Sequence, residues 1–182
     1  MEPGKFYHIY NRGNNSQRVF LADDDYKSFV LRWKKYIEPI AETWAYNLLS
    51  NHFHAVVRIR EQTEPKTADR AFTNFFIAFA RTLQLRHGTN GALFHRAFKK
   101  KPVLNEDQLR WVIGYTLTNQ THHNPSEDFR DAPHASFKAS FSDKPTLLPR
   151  ERLYRLYGGK DAFIQFLLNQ ARYYSFQPDW ED

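Results

Sequence analysis

The chain has 182 residues, a formal charge of +6 and an isoelectric point near 9.5, with 41% apolar and 16% aromatic residues. That is enough for one compact domain over residues 1–182, and the basic balance favours a polyanionic partner. The absence of cysteine excludes disulfides, thiolate zinc sites and cysteine nucleophiles, and no stretch approaches the ~20 apolar residues of a membrane span, so a cytoplasmic protein without a membrane partner is expected.

Phe6-Tyr7-His8-Ile9-Tyr10 reads as a first strand, closed by the turn-forming Asn11-Arg12-Gly13-Asn14-Asn15. Asp23-Asp24-Asp25 then opens a helix, because acidic groups suit a helix N-terminus. Tyr26, Phe29, Val30, Trp33 and Ile37 follow at three- and four-residue spacing until Pro39. Thr43 to Leu49 and His52 to Ile59 form a hairpin about Ser50-Asn51. On its second strand Phe53, Ala55, Val57 and Ile59 make the apolar face, and His52 and His54 share the other, expected to be left open by the helices. Two neighbouring imidazoles can hold one divalent ion.

After a loop at Glu61 to Lys66, Phe72, Phe75, Phe76, Phe79 and Leu83 mark one face of a helix stopped at Gly88. This stripe reads as core. Gly91 to Phe98 suggests a further strand or an ordered loop before the run Lys99-Lys100-Lys101. Asn105 with Gln108 three positions on is a capping-box signature for a helix through Leu109, Val112, Ile113 and Thr116. His122 to Pro149 is rich in Pro, Ser, Asp and His and reads as irregular. Two helical segments, Arg150 to Tyr157 and Lys160 to about Tyr174, are split by Gly158-Gly159. Residues 122–182 are expected to pack on the core as a C-terminal extension.

On the helix after Asn105, Tyr115 and Asn119 are four residues apart and share a face. With nitrogens from His52 and His54, the Asn119 oxygen would complete three ligands and leave positions for water and a phosphate oxygen, a donor set suited to Mg²⁺ or Mn²⁺. The plainer alternative is a packing role for Tyr115 and a helix-end role for Asn119. Gly114 would either relieve crowding beside the site or mark a kink.

Taken together these residues resemble the single-tyrosine transposases of the IS200-like and REP-associated type, within the HUH endonuclease class. The resemblance runs through Phe6 to Asn15, Tyr46 to Val57, Gly91 to Phe94 with Phe98 to Lys101, Tyr115 to Asn119, Asp128 to Asp131 and Ser142 to Thr146. It implies an α+β, ferredoxin-like domain with a central antiparallel sheet and helices mainly on one face. It implies His52, His54 and Asn119 as metal ligands, Tyr115 as nucleophile, and single-stranded DNA bearing a hairpin as substrate. A nucleoid-associated location follows, and the resemblance allows a homodimer or a monomer. Arg12, Arg81, Arg86, Arg96, Lys99, Lys100 and Lys101 are the candidates for neutralising the DNA backbone. Tyr10 and Phe94 are candidates for base stacking, with core packing as the alternative.

The family helix usually reads Tyr-Ile-His-x-Asn-Pro, whereas this one reads Tyr115-Thr116-Leu117-Thr118-Asn119-Gln120. A domesticated protein that binds DNA hairpins without completing transposition is therefore the second reading. An RNA-binding module of the same fold is a third.

Overall fold

The structure is a computed structural model and describes residues 1–95, 97–124 and 126–174. Its elements follow as β1 (Phe6–Arg12), α1 (Asp23–Tyr36), β2 (Ala41–Leu48), β3 (His52–Ile59), α2 (Pro65–His87), β4 (Lys99–Val103), α3 (Glu106–His123), α4 (Phe137–Phe141), α5 (Arg150–Tyr157) and α6 (Lys160–Tyr174). The strands form one antiparallel sheet in the order β2-β3-β1-β4. This is the ferredoxin-like α+β arrangement that the resemblance implies.

The first sheet face is apolar because alternate positions of β1 and β3 supply Tyr7, Ile9, Phe53, Ala55, Val57 and Ile59. Helices α1 and α2 cover it with Phe29, Trp33, Phe72, Phe75 and Phe79. The Phe29 ring meets those of Phe75 and Phe79 edge-on, at 4.9 and 5.1 Å between centroids. Burying each such side chain stabilises the fold by about 1.5–3 kcal/mol. The phenylalanine stripe of α2 is core, as its spacing predicts, and Gly88 ends the helix with a left-handed φ of 63°. The helix begins at Pro65, earlier than the polar composition suggested, with proline in the first turn where no amide hydrogen is needed.

β4 is the lysine run itself. Its residues Lys99 to Val103 pair with Tyr10 to Phe6 of β1, while Gly91 to His95 is a loop fastened by a bridge from Gly13 to Phe94 and by His95 N–H donating to Arg12 C=O. Exposed lysines and Pro102 suit a sheet edge, where an amide can be absent and charge discourages further pairing.

The second face is covered, against the expectation that it would stand open at the histidines. Helices α3 and α6 pack together, and α3 also packs on β2 and β3. A bulge between Thr43 and Ala45 turns both Trp44 and Ala45 to this side. There they join Val56, Ile113, Leu117, Leu153, Phe163 and Leu167 in a second apolar cluster. Gly114 permits the close approach of α6, since a Cβ there would lie 1.8 Å from Gln170 Oε1 and 2.8 Å from Phe166 Cε1. The segment from Ala132 to Ser136 runs along the edge of β2, with Leu48 N–H donating to His134 C=O and Ser136 N–H to Tyr46 C=O.

Candidate active site

Half of the second sheet face is apolar and half polar, and the division follows the register of β1 and β3. Phe6, Trp44 and Val56 lie under the N-terminal half of α3. Beyond them, His8, Tyr10 and Arg12 on β1 stand beside His54 and His52 on β3, with the cross-strand pairs Tyr10 to His54 and Arg12 to His52. The C-terminal half of α3 lays Tyr115, Asn119 and His122 over these groups. His52, His54, Tyr115 and Asn119 are all buried.

The contacts are specific. Asn119 Oδ1 lies 3.1 Å from His52 Nε2, although the two residues are 67 positions apart. The Tyr115 ring meets the His54 ring edge-on at 5.5 Å and stacks on Trp111 at 5.5 Å. Thus the structure brings Tyr115, His52, His54 and Asn119 together. Leu117, which stands where the transposases that the sequence resembles carry histidine, belongs to the second apolar cluster. Gln120 keeps an amide that proline would lack, so α3 runs on to His123. That extra turn sets the His123 ring 4.6 Å from His52 and the His122 ring 5.8 Å from Tyr115.

Hydrogen bonding constrains the protons. His52 Nδ1 lies 2.7 Å from Asn51 Oδ1 and Nε2 lies 3.1 Å from Asn119 Oδ1, so both ring nitrogens face amide oxygens that can only accept, and a neutral ring has one proton for the two. The nitrogen left without a proton faces an oxygen, a contact that a second ring proton or a bound cation would relieve. Asn119 Nδ2 is also buried without a hydrogen-bond partner among the described residues. Among the described residues no cluster of three or more His, Cys, Asp or Glu could hold an ion. The groups that could offer donors to one are the two imidazoles and the Asn119 amide oxygen.

His8, which sequence reasoning did not single out, lies 3.0 Å through Nε2 from His54 Nδ1. Burial, helped by the Lys101 ammonium, lowers the His8 pKa to about 3. Burial also holds His54 well below the ordinary imidazole range, with His8, His52, His123 and His122 adding to it. Both rings are therefore neutral at physiological pH. The missed signal was alternation: His8 shares a face with Tyr10 and Arg12, but only the pairing of β1 with β3 shows that this is the face of His54.

Beside these groups opens a cleft of about 770 Å³, lined among others by Tyr10, Arg12, His52, His95, Lys99 and His134. Tyr26 and His134 stack in its wall with ring centroids 3.6 Å apart. Lys99 and Lys101 lie over the Tyr10 ring at 5.5 and 5.4 Å. Of the proposed DNA contacts, Arg12, Lys99 and Lys101 are thus on the histidine face. Lys100 alternates to the other face and pairs with Asp69 of α2. Arg81 and Arg86 are on α2, on the opposite side of the sheet, and Arg86 pairs with buried Asp25 at 2.6 Å. Arg96 lies outside the described residues. Phe94 packs with Phe53 and Phe76 at the first core, whereas Tyr10 lines the cleft.

No helix among the described residues is long and apolar enough to cross a membrane. No protein-family model and no curated protein matches the sequence. A solved structure of a REP-associated tyrosine transposase bound to a REP hairpin is similar, with a TM-score of 0.61 and 14% identity, over 80% of this chain and 84% of that one. The chain shares its α+β fold with that transposase.

Proposed function

We propose that this chain is a metal-dependent enzyme of the single-tyrosine transposase type, which nicks and rejoins single-stranded DNA at sequences containing a hairpin. The observation that carries the reading is the meeting of Tyr115 with His54, and of Asn119 with His52, across the α3 to β3 interface. The hairpin bound by the transposase of similar fold supports the choice of substrate.

The Tyr115 hydroxyl oxygen would attack phosphorus, forming a tyrosyl-oxygen to phosphorus bond as the bond from phosphorus to the 3′-oxygen breaks. The tyrosine gives up its proton and the departing 3′-oxygen gains one, leaving a 5′-phosphotyrosine and a 3′-hydroxyl. A second 3′-hydroxyl reverses the step and joins strands without ATP, because the covalent link conserves the phosphodiester. When bound by His52, His54 and Asn119, a donor set without negative charge, Mg²⁺ or Mn²⁺ would keep its full charge to stabilise the phosphate during attack. Arg12, Lys99 and Lys101 would hold the flanking backbone.

Tyr115 is 3% exposed, so attack requires DNA binding to uncover it. That burial also favours the second reading, a domesticated hairpin-binding protein. Incubating wild type and Tyr115→Phe with labelled single-stranded hairpin DNA and Mg²⁺, Mn²⁺ or EDTA separates the two. The enzyme reading expects a metal-dependent, denaturation-resistant adduct carrying the 3′ portion of the DNA, absent from the variant. Tight binding without any adduct would leave the hairpin-binding reading.

A further inference from the structure

His52 and His54 are held by the same device. Each presents Nδ1 to a neighbour, His52 to Asn51 Oδ1 at 2.7 Å and His54 to His8 Nε2 at 3.0 Å. For His52 the partner is an amide oxygen, which cannot donate, so a hydrogen bond through Nδ1 needs the ring proton there. For His54 the partner is another imidazole, and either ring can be the donor. The two assignments have opposite consequences. If His8 donates, the neutral His54 ring carries its remaining proton on Nε2 and cannot offer that nitrogen to a cation. If His54 donates, Nε2 becomes its basic nitrogen.

We propose that His8 is a positioning residue: its Nε2 accepts the Nδ1–H of His54 and fixes that ring with Nε2 as the basic nitrogen. The inference rests on the proposed metal-binding role of His54 and deepens it. Strand geometry favours a fixed partner. His8 lies two residues from Tyr10, the direct cross-strand neighbour of His54, so the contact is diagonal between paired strands. The ring is held on its other sides by packing, stacking on Tyr10 at 4.8 Å and meeting Tyr115 edge-on at 6.2 Å. His8 itself is 8% exposed, and the bond to His54 is buried. An exchange of tautomer would therefore have to be made by both rings together. This gives His54 the orienting partner that metal-ligating histidines generally have.

The test reads protons directly. Long-range ¹H–¹⁵N correlation spectra of ¹⁵N-histidine-labelled protein in EDTA report the tautomer of each ring, with assignments from single substitutions. In the wild type, His54 should show a protonated Nδ1 and an unprotonated Nε2. His8→Gln retains an acceptor oxygen and should preserve this pattern, while His8→Phe should shift His54 toward the Nε2–H form. Mn²⁺ affinity, followed by electron paramagnetic resonance of the free ion, should fall about 10- to 100-fold in His8→Phe and stay near wild type in His8→Gln.

A protonated Nε2 on His54 in the wild type would overturn the proposal, and needs no variant to fold. So would a folded His8→Phe with unchanged tautomer and unchanged Mn²⁺ affinity. If the wild type shows the expected tautomer but binds no Mn²⁺, the contact between His8 and His54 stands and the metal reading falls.

Discussion

At the scale of single residues, the most telling contacts are those of His52, whose Nδ1 and Nε2 face the amide oxygens of Asn51 and Asn119 at 2.7 and 3.1 Å in a buried setting. A neutral ring has one proton for two acceptors. An ion taken up by His52, His54 and Asn119 would relieve the contact left without a proton, so the folded state should gain stability when Mn²⁺ is added. With free Mn²⁺ at about 100 times its dissociation constant the gain is about 2.7 kcal/mol, reversed by EDTA. Thermal unfolding followed by circular dichroism measures it. The stabilisation should vanish in His52→Ala and Asn119→Ala, and a wild type whose melting ignores Mn²⁺ would remove the ion from the proposed mechanism. These two residues were legible in the sequence because strand and helix periodicities place them on definite faces. His8 was not, since its partnership with His54 depends on which strands become neighbours.

At the scale of elements, α1 and α2 are tied by one buried carboxylate. Asp25 Oδ1 accepts from Arg86 at 2.6 Å and from His87 at 3.0 Å, while Oδ2 accepts from the amides of Leu21 and Ala22 at 2.9 and 3.0 Å. Burial alone would raise the Asp25 pKa, but bonds from His87, the Leu21 amide, Arg86 and the Ala22 amide outweigh it and lower the pKa below 3.8. A carboxylate depressed in the folded state stabilises fully above its unfolded pKa and loses that contribution as pH falls through the folded one. Asp25→Ala should therefore cost about 3 kcal/mol at pH 7 in urea titrations, and the difference from wild type should narrow below about pH 3.8. A constant difference down to pH 2 would show that the charge is not what matters. Between α3 and α6, Gly114→Ala gains about 1 kcal/mol in helix propensity. It must also displace Gln170, whose Nε2 donates to Trp111 C=O at 2.9 Å, and crowd Phe166. A net loss of about 1–2 kcal/mol is expected by the same titration, and a more stable variant would refute the close-packing account. Helices with a clear apolar stripe were readable from the chain to within a few residues, as α2 shows. β4 was not, because a lysine run becomes a strand only when β1 offers it an edge. The cover over the histidine face was equally hidden, since it depends on how α3 and α6 fold back on the sheet.

At the scale of the whole molecule, the sheet divides the basic residues into two populations that composition cannot distinguish. Arg12 and Lys99 line the cleft beside His52, and Lys101 lies on the same face. Lys100, one position away from each lysine, crosses to the opposite side and is neutralised by Asp69. Arg81 sits on α2, also on that far side. If single-stranded DNA runs along the cleft toward Tyr115, only the first population releases counterions on binding. Each phosphate contact to a single strand contributes about 0.7 to the slope of log affinity against log salt. Changing Arg12, Lys99 and Lys101 together to glutamine should thus flatten that slope by about 2 in fluorescence-anisotropy titrations. Arg81→Gln and Lys100→Gln should leave it unchanged. The reverse pattern would place DNA on the α2 side, too far from Tyr115 for the proposed attack, and would separate binding from the histidine site altogether. Equal small losses from both groups would mean that net charge, rather than the cleft, attracts the strand.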